Sequence, residues 1–491
     1  MPVLNGKELR IIGFLCNWCS YGGADTAGVG RFVQPTDLRI IRVPCSGRID
    51  PLFIAKALLN GADGVLVSGC HPRDCHYAQG NFYARRRLEV LTQFLPALGI
   101  DPDRFEYTWV SASEGQRWQK VVGAFTERIH ALGPAPRHED VEIPADIAAT
   151  NGKRLFTGLP SFPESREYEL RLLELKDTLK ANLSGLDFII GWQQGFDSLH
   201  NTPLFMRSAE DVDKLVWGPL NVHNLATYLP SLRNRKVGVV VKGCDSRSVV
   251  ELLQEKLVDR DKLVVFSMPC TGVADLSKIG RILEEKGANP ARVGAATFSG
   301  GNLTVVVDGK EYSMAMADIA ADKCLSCQYP NALIADHLIG ERLSPAAPAE
   351  DRRSDLRGMP HAGLIKKMAF WRYHMDRCIR CHACRNACPL CVCRDHCIAQ
   401  SREPHWISQE DTVTEKLMFQ VVQTLHLAGR CTECGECRRA CPMGIPLLEL
   451  KRHMNKVIHK LFEYRAGTDP EAIPPLLSFQ VEEKNINERG W

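Results

Sequence analysis

The sequence lacks the features that mark several large classes of protein. No apolar run approaches the roughly 18 residues that a membrane span needs, and the N-terminus MPVLNGKELRIIGFLC has no basic region followed by a long apolar core. A formal charge of +3 over 491 residues gives no electrostatic case for nucleic acid. No Walker loop, complete G-x-G-x-x-G motif or nucleophile–base constellation is present. We therefore expect a soluble, cytoplasmic chain with no nucleic acid partner, no transmembrane segment and no evident catalytic pocket.

Cysteine, in contrast, is abundant. The composition is that of a globular protein, with 45% hydrophobic and 24% charged residues, and the length predicts roughly three domains. The chain has 20 cysteines, many of them in C-x-x-C groups. Because no export signal is seen, these groups favour metal sites over disulfides.

The densest cysteine group lies between residues 378 and 441. Both CIRCHACRNACP and CTECGECRRACP follow the spacing C-x2-C-x2-C-x3-C-P of bacterial 4Fe–4S ferredoxins. In two-cluster ferredoxins the fourth cysteine of each run binds the other cluster. The predicted ligands are Cys378, Cys381, Cys384 and Cys441 for the first 4Fe–4S cluster, and Cys431, Cys434, Cys437 and Cys388 for the second. Two zinc ions are the alternative, for which this spacing is poor.

Three further cysteines lie in the segment CPLCVCRDHC and exceed what two clusters need: Cys391, Cys393 and Cys397. They are either part of an additional 4Fe–4S cluster, with its fourth ligand from the first domain or a partner chain, or buried packing cysteines. Between the two ferredoxin-type runs, EDTVTEKLMFQVVQTLHLAG has apolar residues at helical spacing. This helical insert distinguishes the module from a compact ferredoxin.

The first 135 residues alternate apolar runs with helical patterns. LRIIGFLC, LRIIRVPC and DGVLVSGC each end in a cysteine, and PLFIAKALLNGA and FYARRRLEVLTQFLPALG predict helices. This order predicts a doubly wound parallel sheet, in which the carboxyl ends of the strands form a crevice. Five thiols, placed in the loops after the strands, would meet there: Cys16, Cys19, Cys45, Cys70 and Cys75. A four-ligand cluster is predicted; a zinc site and buried apolar cysteines are the alternatives.

Residues 176–345 repeat the α/β pattern. LDFIIGWQQG, KVGVVVKGCDS and KLVVFSMPCTG predict buried parallel strands, RSVVELLQEKLVDRD a helix and ATFSGGNLTV a hairpin. This segment has four cysteines, which we expect in loops that open on one edge of the sheet: Cys244, Cys270, Cys324 and Cys327. One more 4Fe–4S cluster is predicted, against zinc or free thiols. Lys242 either raises the potential of that cluster or is an ordinary surface lysine.

Proline-containing, weakly periodic stretches separate these modules. The expected division is 1–135, a linker 136–175, 176–345, a linker helix 346–372, a dicluster domain 373–465, and a tail 466–491 that is either disordered or laid on a partner. The predicted fold class is multidomain α/β plus α-helical ferredoxin. Two doubly wound parallel-sheet domains precede a mainly helical two-cluster iron–sulfur domain.

Four N-terminal motifs, CNWCSYGGAD, VPCSGRIDP, GADGVLVSGCHPRDCHYAQGN and WVSASEG, cover nearly all of residues 10–135. They resemble the delta subunit of methyl-viologen-reducing hydrogenase. The resemblance implies a 2Fe–2S adaptor that passes electrons from a hydrogenase or formate dehydrogenase to the flavin subunit of heterodisulfide reductase. It also implies that the five N-terminal cysteines are the ligand set, and it leaves open which four bind.

VKGCDSRSVVELL, the MPC turn and the middle C-x-x-C resemble beta subunits of deazaflavin-reducing hydrogenases and related formate dehydrogenases. Some members of that family bind FAD, and no residue pattern here fixes a flavin. The C-terminal cysteine run resembles the small dicluster subunit of heterodisulfide reductase.

Together these features predict an electron-transfer subunit of an oxidoreductase complex. It would relay electrons between a formate dehydrogenase or hydrogenase catalytic subunit and a heterodisulfide-reductase-like flavoprotein, and an electron-bifurcating complex is one setting for such a relay. One alternative is a flavin-containing beta subunit that acts on a deazaflavin or nicotinamide. A zinc-stabilised scaffold is the other.

Overall fold

The computed structural model describes residues 3–4, 7–148, 165–324, 327–345, 362–393, 396–401, 403 and 405–486. Parts of the two predicted linkers (149–164 and 346–361) and residues 487–491 of the predicted tail lie outside the described residues. Within the described ranges, no helix combines the length and the apolar character needed to cross a membrane.

The N-terminal domain is a four-stranded parallel sheet with helices on both faces. Its order is β4-β3-β5-β6. Val65 and Val67 of β5 contact the apolar cluster of α2 and α3, whereas Leu66 between them contacts that of α1 and α4. Because successive strand residues point to opposite faces, the sheet is buried on both sides at β5, while the edge strand β4 is largely exposed. Helices on both faces confirm the doubly wound prediction. The elements are β1 Val3–Leu4, β2 Lys7–Glu8, β3 Ile11–Cys16, α1 Ser20–Val29, β4 Leu38–Val43, α2 Pro51–Leu59, β5 Gly64–Gly69, α3 Gly80–Phe94, β6 Phe105–Trp109, α4 Gly115–Leu132 and α5 Ala145–Ala148.

The middle domain has a five-stranded sheet of order β14-β10-β9-β7-β8 and a three-stranded antiparallel sheet β11-β12-β13. The three predicted buried strands are confirmed as β7, β9 and β10, and the predicted hairpin as β11–β12. Strand β8 was not predicted: it pairs antiparallel at the edge and contains Pro203, a residue that sheets accept mainly at edges. The elements are α6 Ser165–Asn182, β7 Phe188–Gln194, β8 Asn201–Met206, α7 Ala209–Asp213, β9 Val237–Val241, α8 Gly243–Gln254, β10 Leu263–Ser267, α9 Leu276–Glu285, β11 Val293–Ser299, β12 Asn302–Val307, β13 Lys310–Ala315, α10 Met316–Ile319 and β14 His337–Leu338.

The C-terminal module is helical, as predicted. Its apolar core is continuous with that of the N-terminal domain, since Phe94 of α3 belongs to the same buried cluster as Trp371, Leu417 and Ile458. The two regions therefore share one core although they are far apart in sequence. The elements are α11 Leu364–Asp376, α12 Ala383–Asn386, α13 Val413–His426, α14 Glu436–Arg439 and α15 Leu447–Phe462.

The predicted tail folds back onto the N-terminal domain of the same chain. Phe479 stacks on Phe82 of α3 at a centroid distance of 5.0 Å. The buried guanidinium of Arg85 donates to the Gln480 carbonyl at 2.8 Å, and that of Arg86 donates to the Pro475 carbonyl at 2.7 Å. Buried donors need acceptors, and the tail supplies them. Up to residue 486, therefore, the tail is neither disordered nor laid on a partner, the two alternatives predicted from the sequence. It packs on its own chain.

Glu483 completes this contact, and we expect its replacement by glutamine to be destabilising. Its carboxylate accepts a hydrogen bond from Arg86, lies 3.8 Å from Arg85 and is 4% exposed. Because a buried ion pair is broken, Glu483→Gln should lower the free energy of unfolding by about 3–5 kcal/mol in denaturant titrations. The neighbouring Glu482→Gln is the matched control: that carboxylate is 91% exposed, so a change within about 0.5 kcal/mol is expected. Equal effects of the two replacements would contradict a buried ion pair between the tail and α3.

Candidate iron–sulfur centres

The five N-terminal thiols meet at the carboxyl edge of the first sheet. The Sγ atoms of Cys16 and Cys70 are 3.6 Å apart, and those of Cys45 and Cys75 are 3.8 Å apart. Cys19, at the start of α1, hydrogen-bonds to Cys70. Cys16 is the last residue of β3 and does not lie in the loop expected for it. The structure brings all five thiols together, so the choice of four ligands stays open.

Backbone N–H groups point at two of these sulfurs. Gly47 N–H donates to Cys45 Sγ at 3.4 Å and Ser20 N–H donates to Cys16 Sγ at 3.4 Å. A Cβ on Gly80 would lie 2.4 Å from Cys45 Sγ, so the close approach of α3 requires glycine. Such donors stabilise negative charge on cluster sulfurs, and the site fits an iron–sulfur group on this ground.

The thiols of this site differ in acidity. The hydrogen bond from Cys70 lowers the pKa of Cys16 to about 5 and, in turn, raises the pKa of Cys70. Burial raises the pKa of Cys45 to about 11. Metal binding must therefore displace protons from the thiols with raised pKa.

The four middle-domain thiols line one cavity. Cys270 follows β10, and Cys324 and Cys327 come from the C-x-x-C segment. Cys244, expected in a loop, lies instead in the first turn of α8. The helix begins there because the Asp245 carboxylate accepts the Lys242 N–H at 3.3 Å.

This cavity has the same kind of N–H donors as the N-terminal site. Gly272 N–H donates to Cys270 Sγ at 3.4 Å and Val273 N–H donates to Cys324 Sγ at 3.3 Å. Burial raises the pKa of Cys270 to about 12 and that of Cys327 to about 11. Four thiols with N–H donors to sulfur fit a four-ligand cluster.

Of two lysines near this cavity, Lys242 is buried and Lys323 has a side chain that is 9% exposed. The Lys242 ammonium lies 2.7 Å from Asp245 Oδ2 and donates to the His223 carbonyl at 2.8 Å, so the alternative of an ordinary surface lysine is wrong. Lys323, which the sequence reasoning missed, pairs with Glu436 at 3.9 Å. Burial lowers the pKa of Lys323, but the charge of Cys244 outweighs it and the net pKa is raised. Its position just before a C-x-x-C pair was the available signal.

The four thiols of the first predicted dicluster set lie together, and they include the fourth cysteine of the other run. Cys378, Cys381, Cys384 and Cys441 line one cavity under α13. The Gln420 amide of α13 donates to Cys384 Sγ at 3.8 Å. The structure thus brings Cys441 from the second run to the cysteines of the first, and iron binding there stays a prediction.

The two ferredoxin-type runs share an unusual backbone. Arg380 and His382 have φ values of 52° and 59°, and the equivalent Glu433 and Gly435 have 57° and 74°. Left-handed conformations are uncommon for residues with a side chain and gather at functional sites. Each is followed by a single helical turn, α12 or α14. The backbone around the cysteines therefore has the same conformation in both runs.

A fifth thiol, Cys391, lies beside the four of the second predicted set. Cys388 interacts electrostatically with Cys431 and Cys434, and Cys437 interacts with the same two. Cys391 hydrogen-bonds to Cys388, which lowers the pKa of Cys391 to about 6.

The three extra thiols have different surroundings. The Gln423 amide donates to Cys391 Sγ at 3.5 Å. Cys393 is exposed, and Cys397 packs on the core shared with the N-terminal domain. The additional cluster stays a prediction. Among the described residues, no three His, Cys, Asp or Glu side chains converge closely enough to hold a single metal ion.

Known proteins match the N-terminal domain most extensively. Residues 11–133 match the family described as methyl-viologen-reducing hydrogenase, delta subunit. Over 133 residues the chain is 53% identical to the iron–sulfur subunit of the vhc F420-non-reducing hydrogenase of Methanococcus voltae, a match that covers 27% of this chain and 92% of that protein. The chain belongs to the hydrogenase delta-subunit family. The delta-subunit region is also 49% identical over 127 residues to the corresponding F420-non-reducing hydrogenase iron–sulfur protein of Archaeoglobus profundus, covering 26% of this chain and 93% of that protein.

The delta-subunit region has a relative of another kind. It is 46% identical over 124 residues to a component of the ferredoxin:CoB-CoM heterodisulfide reductase of Methanosarcina mazei, covering 25% of this chain and 16% of that protein. Residues 234–354 match the C terminus of the coenzyme F420 hydrogenase/dehydrogenase beta subunit, and residues 374–445 match a 4Fe-4S dicluster domain. These matches confirm the three predicted resemblances and support an iron–sulfur electron-transfer subunit.

Proposed function

We propose that this chain is an electron relay between a hydrogenase or formate dehydrogenase catalytic subunit and a heterodisulfide-reductase-like flavoprotein. The observation that carries the proposal is that the modules holding the thiol groups pack against one another within one chain. Relatives of the delta-subunit region are named as components of hydrogenase and of heterodisulfide reductase, which supports partners of both kinds. A cytoplasmic, electron-bifurcating complex is the setting we propose.

The middle-domain thiols lie next to residues of the dicluster module. The cavity that contains the middle-domain thiols is also lined by Thr432 and Arg452 of the dicluster module. Lys323 interacts electrostatically with Cys324 of the middle set and with Cys434 of the second dicluster set. The charge of one side chain thus acts on thiols of both groups, and this shared environment supports electron exchange between them.

The N-terminal thiols connect to the dicluster module through two packed helices. Asp50 caps α2, which begins shortly after Cys45, and interacts electrostatically with His426 at the end of α13. Helix α13 packs against α2. It donates from Gln420 to Cys384 of the first dicluster set and from Gln423 to the neighbouring Cys391. This contact supports a relay order of N-terminal site, dicluster sites and middle site.

The proposed cofactors are one 2Fe–2S cluster in the N-terminal domain, one 4Fe–4S cluster in the middle domain and two in the dicluster domain. When bound, such clusters supply one-electron storage. The protein's own part is to hold the sulfurs, exclude water from them and direct N–H groups at them, and these factors set the reduction potential.

A flavin-containing beta subunit is the second candidate, because residues 234–354 match the beta-subunit family. It predicts that the purified chain releases FAD on denaturation and reduces a deazaflavin or nicotinamide by itself.

An anaerobic reductive titration of the purified chain, followed by electron paramagnetic resonance, tests the relay. We expect signals from two types of cluster, with broadening when neighbouring clusters are both reduced. Electrons from dithionite should then pass to an added flavoprotein partner. A flavin radical as the only signal would favour the second candidate, and the absence of any cluster signal would exclude the relay.

A further inference from the structure

A buried lysine lies on the apolar stripe of α15. Leu447, Lys451, Met454 and Ile458 are three or four residues apart and face the same side of the helix. All four are buried, and Lys451 is 1% exposed. A lysine side chain usually reaches solvent with its ammonium even when its stem is buried. This ammonium does not reach solvent.

The ammonium of Lys451 has one hydrogen-bond acceptor among the described residues. It donates to Thr424 Oγ1 of α13 at 2.6 Å, and the Thr424 hydroxyl in turn donates to the Gln420 carbonyl at 2.7 Å. In the described part of the chain no carboxylate pairs with it, unlike Lys242 and Lys323. A buried charge without a counter-charge is costly, so the fold must supply negative charge in another form.

The negative charge available around Lys451 is on sulfur. Burial lowers the pKa of Lys451, and negative charge on nearby sulfurs opposes that effect. These sulfurs belong to Cys437, Cys431 and Cys388 of the second dicluster set and to the neighbouring Cys391. The ammonium also interacts electrostatically with Cys384 of the first set.

The hydrogen bonds of α13 place the ammonium in the same neighbourhood. Thr424, its acceptor, follows directly after Gln423, whose amide donates to Cys391 Sγ at 3.5 Å. One helical turn earlier, the Gln420 amide donates to Cys384 Sγ at 3.8 Å.

We propose that Lys451 is a positioning residue that provides the counter-charge for the two dicluster centres and raises the reduction potential of the second. This inference rests on the proposed function, since it requires clusters on these thiols. A fixed positive charge favours the form of a neighbouring centre that has gained an electron, and the effect is large where water is excluded. Hydrogen bonds from the ammonium to sulfur act in the same direction.

The test is a set of four full-length proteins purified anaerobically. They are wild type, Lys451→Met, Lys451→Arg, and Lys56→Met as the matched control, because in the described part of the chain Lys56 contacts Trp406 and no thiol. Iron per chain is measured first. Each protein then undergoes a redox titration monitored by electron paramagnetic resonance, which gives a midpoint potential for each centre.

We expect Lys451→Met to shift the midpoint of the second dicluster centre to a more negative potential, with a smaller shift of the first centre. Lys451→Arg should restore the wild-type value and Lys56→Met should leave every midpoint unchanged. Unchanged midpoints in Lys451→Met at full iron content would overturn the inference. A loss of dicluster iron in Lys451→Met with retention in Lys451→Arg would support it, whereas a loss in both would overturn it. Iron near zero in the wild type would instead overturn the proposed function, so the two failures are distinguishable.

Discussion

Replacing Cys434 with alanine is expected to remove about four irons from the purified chain, the content of one 4Fe–4S cluster. Cys434 is buried, and it interacts electrostatically with Cys431, Cys388, Lys323 and Glu436. Because a cluster with three protein ligands is poorly retained, the second dicluster centre should be lost. Metal binding is coupled to folding, so the contact between the dicluster module and the middle domain should also loosen.

Cys393→Ala is the comparison for this variant, since Cys393 is exposed. It should keep all the irons that Cys434→Ala loses, as measured by iron and acid-labile sulfide per chain. Loss of a different set of about four irons from Cys393→Ala would place Cys393 in an additional cluster. Full iron content in Cys434→Ala would contradict the ligand assignment of the second centre.

The second large effect is expected for Trp371→Ala. The indole is 2% exposed, and its N–H donates to the Ala97 carbonyl of the N-terminal domain at 2.8 Å. Truncation leaves a cavity in the core shared by the two regions and an acceptor without its donor. We expect the free energy of unfolding to fall by about 3–5 kcal/mol in denaturant titrations.

Ile365→Ala tests the same helix without touching that core. Ile365 is on α11 and 54% exposed, so its replacement should change the free energy of unfolding by less than about 0.5 kcal/mol. If Trp371→Ala were as mild as Ile365→Ala, the N-terminal domain and the dicluster module would not share a core. The connection between α2 and α13 on which the relay depends would then lose its support.

Local sequence patterns predicted most of the elements around the sites. The apolar run GVLVSG gave β5, and its alternate contacts on the two faces follow from the period of a strand. The repeated C-x2-C-x2-C-x3-C-P spacing predicted which cysteines come together, including Cys441 with the first run. The strand depends on neighbours along the chain and the grouping of cysteines on a repeated spacing, and the sequence displays both directly.

Features that depend on distant contacts could not be predicted in this way. The tail is ordered by Arg85 and Arg86, which lie about 390 residues earlier in the chain. Cys244 was expected in a loop because Gly243 and Asp245 are common turn residues. In the structure the Asp245 carboxylate instead caps α8, which begins shortly after β9. Lys451 interrupts an apolar stripe, a signal visible in the sequence, but its thiol neighbours appear only after α13 and α15 pack together.

One measurement tests the central claim most directly: iron, acid-labile sulfide, zinc and flavin per chain after anaerobic purification. Three 4Fe–4S clusters and one 2Fe–2S cluster predict roughly fourteen irons, a matching amount of sulfide and no flavin. About four more irons would indicate the additional cluster on Cys391, Cys393 and Cys397. Zinc in place of iron, with iron near zero, would contradict the electron relay.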